Sequence, residues 1–184
     1  MPLLAKPTLS EASSANKAFM SLLKIRNSTA CCFTRRGYIQ TYEKEAEKVE
    51  GFLRSKQAKQ SPDVTATIKR IWRHYENVAL IFKRHSGDLI CKEALITKFQ
   101  HQYPAAAKSF DQNGALMQGS DGRKCLAPQL LVPIILRRAA RELQEAQKMF
   151  LNSTKGTSSP ARAVRPSRRI GGDGVPRQVE LRCE

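Results

Sequence analysis

Apolar residues recur along this chain at intervals of three and four, which places them on one face of an α-helix. The clearest example runs from Ser61 to Leu89. Ser61 is a suitable N-cap, Pro62 fits the first helical position, and Asp63 complements the helix dipole. Gly87 is expected to close this helix. Its apolar arc, which we predict to face the core, comprises Val64, Ile68, Ile71, Trp72, Tyr75, Val78, Ala79 and Phe82.

Four other segments show the same spacing and predict further helices. Residues 38–57 and 134–151 form amphipathic patterns, the second directly after Pro133. Residues 89–103, capped by Asp88, should return as the second arm of a helical hairpin. Residues 11–25 carry an apolar face near the N-terminus, whereas residues 111–127 are rich in glycine and predict a loop.

These elements predict an all-α fold, a small bundle of four to five helices with an antiparallel helical hairpin at its centre. We expect residues 37–152 to form the helical domain and residues 1–36 to form a flexible or helical basic segment. Residues 153–184 contain Gly, Pro and Arg but almost no large apolar side chains. Such a segment cannot bury enough surface to offset its ordering entropy, so it predicts a disordered tail.

The balance of charge is unusual. The chain has 32 Lys+Arg against 16 Asp+Glu, a formal net charge of +16. The excess is also present within residues 37–152, so the predicted domain is itself cationic. A field of this sign concentrates polyanions, which favours nucleic acid, an anionic membrane surface or an acidic protein as partner.

The cations fall into two helical stripes and a short cluster in the tail. On the predicted surface side of the helices, they can meet phosphates without reading bases. The residues we predict to bind nucleic acid are Lys69, Arg70, Arg73, Lys83 and Arg84 in the first stripe, Arg137, Arg138, Arg141 and Lys148 in the second, and Arg165, Arg168 and Arg169 in the tail.

The cysteines argue against a metal or redox motif. Cys31 and Cys32 are adjacent, and Cys91, Cys125 and Cys183 lack a partner at a suitable spacing. An odd number of cysteines without an apolar signal segment favours a reducing, intracellular compartment, with nucleus, cytoplasm and mitochondrion left open. No apolar run is long enough for a transmembrane helix.

The N-terminal segment allows two interpretations. Residues 1–36 contain one acid, Glu11, among many Ala, Ser, Leu and Lys residues, a composition that resembles a mitochondrial transit peptide. Arg36-Gly37-Tyr38 also resembles the arginine-containing pattern that precedes matrix cleavage. The alternative is an ordinary amphipathic helix with Leu22 on its apolar face.

Catalytic motifs are missing from the sequence. The three histidines, His74, His85 and His101, are dispersed. His74 stands beside Arg73 on a basic face, where we expect a solvent-exposed side chain. Nucleophile elbows, dinucleotide-binding glycines and paired carboxylates in apolar surroundings do not occur. We therefore predict a protein without enzymatic activity, metal or cofactor.

The functional hypothesis is a basic helical protein that associates with nucleic acid, RNA favoured over DNA, or with a ribonucleoprotein assembly through backbone phosphates. The aromatic residues between the cations, such as Trp72, belong to the core rather than to a base-stacking platform. One alternative is an adaptor or accessory subunit, viral or organellar, that binds an acidic or helical partner. The other alternative is a helical bundle whose basic surface has no binding function. The adaptor's groove would include Leu80, Ile81 and Leu95.

Overall fold

The computed structural model describes residues 9–30, 33–85, 88–105, 116–118 and 122–155. Its elements are α1 (Leu9–Ala30), α2 (Arg35–Arg54), α3 (Lys56–Gln60), α4 (Pro62–Arg84), α5 (Glu93–Gln102), β1 (Leu116–Gln118), β2 (Lys124–Leu126) and α6 (Pro128–Lys155). The all-α class is confirmed. The predicted loop 111–127 differs in containing a short antiparallel ribbon, in which Leu116 pairs with Leu126.

Four long helices surround one core. Helix α1 packs against α2, α4 packs against α6, and both α1 and α2 contact α4. The N-terminal helix is part of this core, since Leu22 and Ile25 are fully buried. The interpretation of residues 1–36 as a transit peptide stays a prediction, and cleavage before Ile39 would remove all of α1.

Helix α2 begins three residues earlier than the periodicity predicts because Thr34 caps it. The Thr34 hydroxyl accepts a hydrogen bond from the Gly37 amide at 3.1 Å. A Cβ atom on Gly37 would lie 2.9 Å from that hydroxyl oxygen, so glycine leaves room for the cap. The buried Tyr38 hydroxyl then donates to the Tyr75 carbonyl at 2.8 Å, which ties α2 to α4.

Helix α4 is the central element. Its predicted arc is buried or half-buried, and Trp72 stacks on Tyr42 of α2 with ring centroids 4.9 Å apart. The aromatic residues of α4 therefore lie in the core, as predicted. Ser61 occupies the N-cap position but makes no capping hydrogen bond through its side chain, contrary to expectation. The predicted stop at Gly87 lies outside the described residues.

The chain returns towards α4 after that helix ends, as the predicted hairpin requires. The side chains of Asn77 and Gln102 are hydrogen bonded at 3.2 Å, so the end of α5 returns to the middle of α4. Helix α5 begins at Glu93 rather than Leu89. Two backbone hydrogen bonds between Ile90 and Leu126 hold the preceding residues extended.

Helix α6 is longer than predicted because Pro133 lies inside it. Proline removes one backbone hydrogen bond and costs about 3 kcal/mol in a helix interior. The two turns around it bury Leu131, Val132 and Ile135, and this apolar burial offsets that cost.

The segment predicted to be a disordered tail, residues 153–184, lies mostly outside the described residues. Helix α6 continues to Lys155, and the predicted disorder of the segment beyond it concerns residues that the structure does not describe. None of the described helices combines the length and apolar character needed to cross a membrane.

Candidate functional site

A buried polar network joins α4, α6 and the residue that follows α5. Nδ1 of His74 lies 2.8 Å from the Tyr103 hydroxyl, and its Nε2 lies 2.9 Å from Oε2 of Glu142. All three residues are buried. The prediction that His74 is solvent-exposed is therefore wrong, because this histidine lies between two helices rather than on the basic face.

The two ends of the network fix the direction of the hydrogen bonds there. The ionised Glu142 carboxylate can only accept, so Nε2 of His74 carries a proton. The Asn77 side-chain amide donates to the Tyr103 oxygen at 2.9 Å. Nδ1 of His74 and the Tyr103 hydroxyl share the remaining hydrogen bond, so every member has a partner. Both ring nitrogens are engaged, so the network ties three elements together.

Two arginines share the Glu142 carboxylate with the histidine. Nε of Arg70 lies 3.2 Å from Oε2, and Nε of Arg138 lies 2.9 Å from Oε1. Burial raises the pKa of Glu142, but the hydrogen bonds from His74 and Arg138 outweigh that effect and hold its pKa at about 2. The carboxylate is therefore ionised throughout the physiological range and fixes both guanidinium groups.

An open cleft of about 400 Å³ lies beside this network. Ile134, Arg137, Arg138 and Arg141 line it from α6, and their spacing of three, four and seven residues places them on one face of that helix. Tyr103 and Ala105 line the opposite wall. Among the described residues, no carboxylate forms an ion pair with Arg137 or Arg141. We name this feature the arginine cleft.

The predicted cationic stripe on α4 is divided between two sides of the helix. Arg70 points to Glu142 of α6, whereas Lys69 and Arg73 line a second cleft of about 430 Å³ towards α2. The second cleft also contains Glu50 and Glu76. Burial and the neighbouring Glu50 raise the pKa of Glu76. Arg70 thus faces α6, whereas Lys69 and Arg73 lie in a cleft that also contains two carboxylates.

The remaining predicted cations lie apart from the arginine cleft. Lys83 is paired with Glu43 at 2.8 Å. Arg84 and Lys148 are exposed and form no ion pair with a described carboxylate. The tail cluster of Arg165, Arg168 and Arg169 lies outside the described residues. The structure therefore brings together Arg137, Arg138 and Arg141, with Arg70 nearby across Glu142.

The buried polar residues were not predicted, although their spacing from buried apolar neighbours indicates burial. His74 follows the buried Ile71 by three residues and precedes the buried Val78 by four. The other buried polar residues stand in the same relation to buried neighbours: Ser21 between Ala18 and Ile25, Glu45 between Tyr42 and Val49, and Glu142 between Ala139 and Ala146. A polar residue at such a position on a helix is expected inside the bundle.

The prediction for the cysteines also needs correction. Cys91 and Cys125 form a disulfide across 34 residues, with Cα atoms 4.3 Å apart. Cys91 directly follows Ile90, and Cys125 directly precedes Leu126, so the backbone bridge between those neighbours brings the two thiols together. The prediction that both cysteines lack a partner is therefore wrong. Within the described part of the chain, no group of three metal-ligating side chains occurs.

Comparisons of the chain with protein-family models, with curated proteins and with solved structures find no match. A functional proposal therefore depends on the charges and geometry of this chain's own residues.

Proposed function

We propose that this protein binds nucleic acid, RNA in preference to DNA, through phosphate contacts centred on the arginine cleft. The observation that carries the proposal is the convergence of Arg137, Arg138 and Arg141 on one cleft, two of them without a described carboxylate partner. The sequence excess of positive charge, +16 overall, adds a long-range attraction for polyanions.

The arrangement of the three guanidinium groups supports phosphate as the ligand. Arginine presents a planar fork of donors that matches a phosphate group, and it remains charged at any physiological pH. Arg137 and Arg141 are one turn apart, where like charges destabilise a helix by a few tenths of a kcal/mol. A bound anion would relieve this repulsion, so binding and helix stability favour each other.

The Glu142 carboxylate holds the guanidinium groups of Arg138 and Arg70 in place. Each guanidinium is held through its Nε atom, which leaves the terminal NH2 groups of Arg138 available at the cleft. Fixing the side chain beforehand lowers the ordering entropy that phosphate binding would otherwise cost. Contacts of this kind carry little sequence information, because phosphates are the same at every base.

The test is binding of a short single-stranded RNA by fluorescence anisotropy over a series of salt concentrations. We expect a steep fall of affinity with salt for the wild-type protein. The Arg137→Glu/Arg141→Glu variant should bind more than about tenfold more weakly, and its salt slope should fall by about 1.4, since each lost contact contributes about 0.7 on a single strand. Duplex DNA serves as the comparison for RNA preference.

The matched control is Lys56→Glu/Lys59→Glu on α3, which changes net charge equally at two exposed positions outside the arginine cleft. Arg70 is left unchanged because glutamate there would stand beside Glu142. If both variants weaken binding to the same extent, the attraction comes from net charge, and the arginine cleft is not the binding site. Absent or salt-independent binding by the wild-type protein would contradict the proposal.

An adaptor function has one observation in its favour, an apolar pocket of about 190 Å³ between Phe33, Phe82, Val132 and Pro133. Phe33 is 41% exposed there. The groove predicted from the sequence is wrong in one respect, because Ile81 is fully buried. Phe33→Ser should leave RNA affinity unchanged if nucleic acid is the partner.

A further inference from the structure

The arginine cleft differs from a flat cationic surface in having apolar residues in its lining and a defined volume. Its volume of about 400 Å³ falls within the range of about 300–1,000 Å³ that is typical of small-ligand sites. Ile134 and Ala105 line it next to the guanidinium groups. A ligand that fits should therefore combine an anionic group with an uncharged part of limited size.

The charges at the cleft indicate how anionic that group should be. Arg137, Arg138 and Arg141 contribute three positive charges, and Glu142, paired with Arg138, contributes one negative charge, which leaves two positive charges. Because Glu142 is also shared with Arg70, two is a lower limit for the excess. An internal phosphodiester carries one negative charge, whereas a phosphomonoester carries about −1.5 to −2 at pH 7. The monoester matches the excess more closely.

We propose that the arginine cleft binds the terminal phosphomonoester of a nucleic-acid strand, with the adjoining nucleoside against Ile134 and Ala105. This inference rests on the proposed nucleic-acid function and specifies the part of the strand that is bound. A strand end also suits a cleft of limited volume, because only one side of a terminal phosphate continues into the chain. The same phosphomonoester chemistry occurs in free nucleotides, so the experiment must separate the two sources.

The experiment compares one RNA sequence in three forms, with a 5′-phosphate, with a 3′-phosphate and with hydroxyl groups at both ends, by anisotropy of an internal label. We expect one phosphorylated form to bind the wild-type protein about tenfold more tightly than the hydroxyl form, the equivalent of one further charge-assisted hydrogen bond. Arg137→Gln/Arg141→Gln should abolish this difference. Arg73→Gln, in the second cleft, should preserve it.

The outcomes separate the two proposals. Equal, salt-dependent binding of all three RNAs by the wild-type protein would overturn the end-binding inference and leave the nucleic-acid function standing. No binding of any form at low salt would overturn both. If a nucleoside monophosphate displaces the phosphorylated RNA at equal concentration, the ligand is a free nucleotide and the strand-end inference fails. The comparison among RNAs uses the unaltered protein, so it stands even if the glutamine variant does not fold.

Discussion

Replacing Glu142 by glutamine tests whether the buried network holds the bundle together. Glu142 is 7% exposed, and its carboxylate accepts hydrogen bonds from Arg70, Arg138 and His74. Glutamine keeps nearly the same shape but removes the charge and places a donor among donors. Donors around a buried site that lose their acceptor cost about 1–3 kcal/mol each, so the effect should be large.

Its magnitude follows from the pKa of the carboxyl group. Folding lowers the pKa of Glu142 from its ordinary 4.5 to about 2. Each tenfold difference in proton affinity between the folded and unfolded states corresponds to about 1.4 kcal/mol, which gives about 3 kcal/mol. Because the folded-state pKa is the lower one, this stabilisation is present above pH 4.5 and is lost as the pH falls towards 2.

The assay is urea unfolding followed by circular dichroism at a series of pH values. At pH 7 we expect Glu142→Gln to lower the free energy of unfolding by about 3 kcal/mol, and near pH 2 the difference should shrink towards zero. Glu145→Gln is the control, an exposed carboxylate on the same helix without a described ion pair. A change below about 0.5 kcal/mol at pH 7, or a difference that does not vary with pH, would show that the Glu142 charge does not stabilise the bundle.

Three further predictions concern stability, each measured by urea unfolding. Replacing Cys91 and Cys125 by serine should lower the free energy of unfolding by about 4 kcal/mol, the loop-closure value for 34 residues, and thiol titration of the unreduced native protein should find neither cysteine free. Tyr75→Phe should raise the free energy of unfolding by about 1 kcal/mol, because the buried Tyr75 hydroxyl has no hydrogen-bond partner among the described residues. A decrease of similar size would show that the hydroxyl has a partner. A chain that begins at Ile39 lacks α1, including Leu22, and should unfold without a cooperative transition; a sharp transition would show that α1 is dispensable.

The helices and their core-facing sides could be predicted from the sequence alone. A helix is a local structure, and its apolar face repeats every three or four residues, so Ile68, Ile71 and Val78 identify their own burial. The same reasoning predicted that the end of α5 returns to α4. It was less accurate at the ends of helices, where contacts with distant residues decide the outcome. Leu126 keeps Ile90 extended and delays α5, and the packing around Leu131 carries α6 through Pro133.

The candidate site was predicted only in part. The one-face spacing of Arg137, Arg138 and Arg141 is visible along the sequence, so their convergence on one surface could be predicted. The wall opposite, formed by Tyr103 and Ala105, could not, because it depends on how α5 packs against its neighbours. Sequence periodicity also grouped Arg70 with Arg73 in one stripe, whereas neighbouring helices on either side of α4 separate them.

Local sequence is sufficient to locate the long helices and their apolar faces, and composition alone gives the large positive charge. The packing of the helices sets which cations have a carboxylate partner, because Arg70 and Glu142 are 72 residues apart and meet only when α4 packs against α6. Tertiary structure also decided the pairing of Cys91 with Cys125, which depends on a β-bridge between distant segments. Local spacing sets a residue's orientation on its own helix, but the charge that it faces belongs to another part of the chain.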